Sequence, residues 1–162
     1  MFTVAIGLGS NLGRREENLR RAGEFLRKLL SGEVTFSPVY ESEPVGYLEQ
    51  PWFLNQVCLG KTKLPPVQLL FRLKEFEREM GREPGGPRFG PRCIDLDLLF
   101  YEDWVFKSHL LTIPHPRMVE RSFVLLPLVE MGAGWVHPEL GLTVQELWAA
   151  KKEALAPSVR RD

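Results

Sequence analysis

The chain carries no excess charge of either sign: 21 Lys and Arg balance 21 Asp and Glu. No global field draws it to nucleic acid or to an anionic membrane, so any basic site must be local. Long apolar runs are also missing, none approaching the roughly 18 residues that span a bilayer. Met1 to Gly9 has no charged segment ahead of its apolar run, unlike a secretion signal. A cytoplasmic protein with no membrane or nucleic-acid partner is therefore expected. Cysteine is scarce, and Cys58 and Cys93 lie far apart with no Cys-x-x-Cys spacing. This excludes a disulfide framework and argues against a zinc site, so both read as packing residues. Repeats and low-complexity tracts are absent. A length of 162 residues suits one core, so the expectation is a single domain over 1–162, and a monomer.

What is present alternates between strand and helix patterns. Phe2 to Gly9 is rich in strand formers and runs into the turn residues Ser10, Asn11 and Gly13. Leu19, Ala22, Phe25, Leu26, Leu29 and Leu30 then recur at helical spacing between charges, predicting a helix over Arg14–Leu30. Val34–Tyr40 and Phe53–Lys61 read as strands, separated by a loop with Pro44, Gly46 and Pro51. Pro65 and Pro66 suit the start of a second helix that ends near Gly81. Gly81 to Cys93 holds four Gly, three Pro, Arg82, Arg88 and Arg92 against one acid, Glu83, and reads as a mobile basic loop. Ile94–Tyr101 resumes strand character, and short helices are expected over Ser122–Met131 and Thr143–Ala150. The order strand, helix, two strands, helix, strand predicts an α+β fold, a ferredoxin-like antiparallel sheet core with helices packed on one face.

The sharpest chemical feature is Asp95 and Asp97 within Ile94-Asp95-Leu96-Asp97-Leu98-Leu99. Aspartate is unfavourable inside strands, yet this spacing puts both carboxylates on one face, roughly 6.5 to 7 Å apart. Two like charges so close call for a cation, and hard carboxylates on a rigid strand suit Mg²⁺. The Arg-bearing loop directly before the pair brings guanidiniums to the same sheet edge. Metal plus arginine suggests a polyphosphate. Pro114-His115-Pro116-Arg117, followed by Arg121 and Phe123, adds cations and a stiffened His115.

These residues resemble a known family. Arg88-Phe89-Gly90-Pro91-Arg92-Cys93-Ile94-Asp95-Leu96-Asp97-Leu98-Leu99 is similar to the signature of the 6-hydroxymethyl-7,8-dihydropterin pyrophosphokinases of folate biosynthesis. Gly9-Ser10-Asn11-Leu12-Gly13, Phe53-Leu54-Asn55 and Pro114-His115-Pro116-Arg117 with Arg121 and Phe123 extend the likeness over nearly the whole chain. The resemblance implies an ATP-dependent diphosphotransferase that passes pyrophosphate from ATP to the pterin hydroxymethyl group and releases AMP. It further implies that Asp95 and Asp97 hold two Mg²⁺ ions and that Arg82 and Arg92 act on the triphosphate. ATP would also meet Arg88, His115 and Arg121. Phe53 and Phe123 would sandwich the pterin, Asn55 would bond its polar edge, and the backbone of Ser42, Val45 and Gly46 would read the rest.

The residues depart from the family in two places. Glu83 and Pro84 stand where a second Arg can follow the one matching Arg82, and Phe89 replaces an indole, which removes an N–H donor. Two other readings are weaker. Gly7-x-Gly9-x-x-x-Gly13 with Glu41 resembles a dinucleotide-binding turn but has the wrong spacing. A sheet-based RNA reader would not place two aspartates on its binding face. The P-loop pattern G-x-x-x-x-G-K-[ST] is absent.

Overall fold

Strand β1 (Phe2–Ser10) alternates Val4, Ile6 and Leu8 on one side with Ala5, Gly7 and Gly9 on the other, so it supplies apolar side chains to both faces of a sheet. The structure, a computed structural model, describes residues 1–44, 49–81, 93–132 and 134–161. Among these, β1 is followed by α1 (Arg15–Leu29), β2 (Ser31–Phe36), β3 (Tyr40–Ser42), β4 (Phe53–Thr62), α2 (Pro66–Gly81) and β5 (Asp95–Tyr101). A small hairpin, β6 (Phe106–Lys107) and β7 (Thr112–Ile113), leads to α3 (Ser122–Glu130), α4 (Val144–Leu155) and β8 (Val159–Arg161). The main sheet is antiparallel in the order β5-β1-β4-β3-β8, with β2 also pairing β4. The α+β, ferredoxin-like reading holds.

On the first face, Leu19, Ala22 and Leu26 of α1 and Leu69, Leu73 and Met80 of α2 pack on Val4, Ile6, Leu8, Leu54, Leu96 and Leu98. The charge order of α1 suits its dipole, with Glu16 and Glu17 in the first turn and Arg27 and Lys28 in the last. Burial pushes the Cys58 thiol in this layer up to about 12, so it is an inert packing group. These two helices share one face, as expected. The opposite face is not bare: Val124 and Leu128 of α3 and Val144 of α4 cover Ala5, Val57, Leu99 and Phe100. The expectation of helices on a single face is corrected here, because Ala5, Val57 and Leu99 form a second apolar surface that needs its own cover.

The strand expected over Val34–Tyr40 is two strands. Pro38 has no N–H for the ladder, and the Ser37 hydroxyl fills the break by accepting from Val57 N at 2.9 Å. Helix α4 runs five residues beyond the expected Ala150, with Thr143 and Glu146 forming a capping box at its start. Among the described residues no helix is long and apolar enough to cross a membrane.

Candidate active site

The sheet register builds the site. Across β5, β1 and β4, Asp95 stands opposite Gly9, which stands opposite Asn55, while Asp97, Gly7 and Val57 form the next row. With strands about 4.8 Å apart, the carboxylates and the amide look at each other over a strip without side chains. A methyl group at Gly9 would lie 3.2 Å from Asn55 Oδ1, so the absent side chain keeps this floor open. Above it is a cavity of about 320 Å³, lined by Asp95, Asp97, Asn55, Phe53, Ser42 and, from the start of α3 and the residue before it, Phe123 and Arg121. Seven residues singled out from the sequence thus converge.

On the amide side, Asn55 Nδ2 donates to Ser42 Oγ at 2.6 Å. Both residues are buried, so this short bond fixes the amide plane within the cavity wall. Phe53 and Phe123 both face the cavity, and Arg121 lies over the Phe123 ring at 5.5 Å.

The carboxylate side is organised by a pair of residues the sequence reading passed over. Among the described residues strand β5 is the edge of the sheet, and Leu96, between the two aspartates, has no strand neighbour on its outer side. Glu77 Oε1 accepts from Leu96 N at 2.6 Å and Lys74 Nζ donates to Leu96 O at 2.9 Å. A Lys74–Glu77 contact of 2.9 Å closes the unit. One turn of α2 therefore substitutes for a neighbouring strand at the peptide that spaces Asp95 from Asp97. Glu77 is fully buried at a position of the Leu73–Met80 apolar stripe. A carboxylate in that stripe is the sequence signal that could have found it.

Asp97 is about one-third exposed, with Lys74 Nζ at 3.9 Å and Arg121 Nη1 at 3.6 Å. Neither contact is as short as a direct hydrogen bond, so both oxygens keep lone pairs directed to the cavity. Hard oxygens on a rigid strand beside open space suit a divalent cation such as Mg²⁺. Among the described residues no group of three or more His, Cys, Asp or Glu assembles for a metal. Water and phosphate oxygens would have to complete the shell.

His115 lies beside this end. Its backbone N donates to Leu99 O at 2.8 Å, and its Nδ1 accepts from Arg117 N at 3.2 Å. Burial, reinforced by Arg121, Arg117 and Lys74 and opposed by Asp97, holds the imidazole below its ordinary pKa. With Nδ1 accepting, neutral His115 presents Nε2–H as its donor.

The remaining site residues are placed elsewhere or not described. Arg82, Arg88 and Arg92, like Val45 and Gly46, lie outside the described residues. The Gly7 to Gly13 run forms no nucleotide-binding turn: Gly7 and Gly9 are strand floor, and Ser10 Oγ donates to Cys93 O at 2.6 Å. Asn18 Nδ2 reaches the same carbonyl at 3.3 Å and Leu12 O at 2.9 Å, tying the end of β1 to the approach of β5. Glu41 lies 3.5 Å from Arg15 and 3.3 Å from Arg160, so it is engaged in ion pairs.

Residues 5–133 match the family model for 7,8-dihydro-6-hydroxymethylpterin-pyrophosphokinase (HPPK). A 2-amino-4-hydroxy-6-hydroxymethyldihydropteridine pyrophosphokinase of Aquifex aeolicus is 43% identical over 85% of this chain and 85% of its own length. The protein of that name from Bacillus subtilis is 45% identical over 78% of this chain and 75% of its own. The folic acid synthesis protein fol1 of Pneumocystis carinii is 45% identical over 87% of this chain, which spans 19% of that longer protein. Among solved structures, Plasmodium falciparum HPPK-DHPS with pteroate superposes with a TM-score of 0.78 at 18% identity, over 99% of this chain and 45% of that one. At that identity the superposition speaks for the fold.

Proposed function

The chain belongs to the 7,8-dihydro-6-hydroxymethylpterin-pyrophosphokinase family, and from that premise we propose that it transfers pyrophosphate from ATP to 6-hydroxymethyl-7,8-dihydropterin in folate synthesis. The observation that supports the reading is the row Asp95–Gly9–Asn55, in which a carboxylate of the Asp95/Asp97 pair and the Asn55 amide stand on opposite sides of one open floor. A flat, polar-edged ring fits between aromatic faces with one amide at its edge. Phe53, Phe123 and Asn55 take the pterin, with Ser42 holding Asn55 and the backbone near Val45 and Gly46 completing the recognition. The triphosphate lies over Asp95 and Asp97.

In this reading Asp95 and Asp97 hold two Mg²⁺ ions, which neutralise phosphate charge when bound. The protein's own part is positioning. Arg121, His115 and Lys74 border the phosphate end, and Arg82, Arg88 and Arg92 are the further guanidiniums this reading assigns to the triphosphate. The pterin hydroxymethyl oxygen attacks the β-phosphorus, the bond from that phosphorus to the α,β-bridging oxygen breaks, and AMP leaves. The hydroxyl proton passes to solvent. The cytoplasm, where ATP and Mg²⁺ are plentiful, is the compartment this chemistry suits.

Incubation with MgATP and the pterin tests the reading. Pterin diphosphate should form with MgATP, and none should form when EDTA is present from the start. A pterin left unchanged under both conditions contradicts it.

A further inference from the structure

Strand β8 and Ser158 just before it lie beyond the stretch that the family model matches, yet together they touch three separate pieces of the pterin side. It pairs with β3, with Val159 opposite Ser42, and Glu43 N donates to Ser158 O at 3.0 Å. Ser158 Oγ lies 2.9 Å from Ser122 Oγ and donates to Leu155 O at 2.7 Å. A hydroxyl has one proton, so Ser122 is the donor in the first contact. Ser122 opens α3 between Arg121 and Phe123, and no side chain caps that helix end. Arg160 pairs with Glu41 at 3.3 Å and stacks over the Trp52 ring at 4.1 Å, next to Phe53.

β3 is only three residues long, and without β8 it would be the edge of the sheet. Its Ser42 sets the plane of Asn55. We propose that Ser158 and Arg160 are positioning residues for the pterin. They join β3, the start of α3 and Trp52, and so fix the distance between the walls that carry Phe53, Asn55 and Phe123. Neither residue touches the reacting atoms. The inference rests on the pterin reading of the cavity.

The test is made in the full chain with Ser158→Ala, Arg160→Ala and their combination. Pterin and MgATP dissociation constants are measured separately by calorimetry, and thermal melting is followed in parallel. The double variant should weaken pterin binding about tenfold, the scale of one or two lost hydrogen bonds, while MgATP binding stays within about twofold of the parent. Ser158→Thr, which keeps the hydroxyl, should restore most of the loss. Arg160 is exposed, so Arg160→Ala keeps the fold and remains informative if Ser158→Ala melts. Unchanged pterin binding overturns the inference, as does an equal loss for both ligands together with a lower melting temperature. A parent protein that binds no pterin overturns instead the functional reading beneath it.

Discussion

The two sides of the cavity are held in different ways. On the carboxylate side, charge is held by charge: a buried Glu77 and its Lys74 grip the peptide between two aspartates on an edge strand. On the other side, the groups assigned to the pterin are neutral, Asn55 on Ser42 and two phenylalanines on strand and helix, and the Glu41–Arg160 ion pair stands behind them. Ionic positioning in a partly dry wall is strong but fails sharply when one member is removed. A wall of rings and one amide degrades gradually. Variants on the first side should therefore damage chemistry, and variants on the second should damage pterin binding.

The largest effect is expected at Asp95→Ala or Asp97→Ala, each lowering kcat by at least about 10³ through lost charge neutralisation. Circular dichroism should show an intact fold, because removing one of two like charges relieves repulsion. Next is Glu77→Ala, which leaves the buried Leu96 N–H without its acceptor and should cost about 1–3 kcal/mol in urea unfolding. It should also reduce kcat more than pterin affinity, whereas a loss confined to pterin binding would blur the contrast between the two sides. Asn55→Ala should do the reverse. Losing the amide should weaken pterin binding by a factor of about 10 to 100, with MgATP affinity unmoved in the same titration.

Gly9→Ala should act more mildly still on the pterin side. The added methyl meets Asn55 Oδ1 at 3.2 Å, so the amide must shift by a few tenths of an ångström and the pterin KM should rise a few-fold. The smallest effect concerns pH. His115 titrates below its ordinary value because it is buried, and His137 does so for the same first reason. As pH falls below about 6.5 the unfolded chain takes up protons that the native one refuses, so stability should fall toward acid until the native groups titrate as well. In urea melts at pH 7 and pH 5, His115→Gln should lessen that fall.

The fold was largely readable because the helical and strand periods were clean over α1, α2, β1, β4 and β5. Pro38 marked the break that splits the second strand, but the repair by Ser37 is a tertiary bond that no local pattern displays. Asp95 and Asp97 were legible from their residues, since aspartate inside a strand contradicts local propensity. Asn55, Phe53 and Phe123 were not: an asparagine and two phenylalanines are ordinary wall residues until a family likeness pairs them. Gly7 and Gly9 were read within a strand, as the structure has them, but that they clear a floor was not visible, because a glycine pair before a helix looks the same whether it bends the chain or opens space. Lys74 and Glu77 were passed over, although Glu77 falls within the apolar stripe of α2, because their task on the edge of β5 is a tertiary one. The second helical layer was missed because nothing in α3 or α4 alone says which face of the sheet each will cover.

The nucleotide product tests the central claim most directly. If the cavity places the pterin oxygen in line with the β-phosphorus, chromatography of the reaction with MgATP should show AMP forming in step with pterin diphosphate. ADP forming in step with a pterin monophosphate would contradict the account, even if Asp95, Asp97 and Asn55 all proved essential.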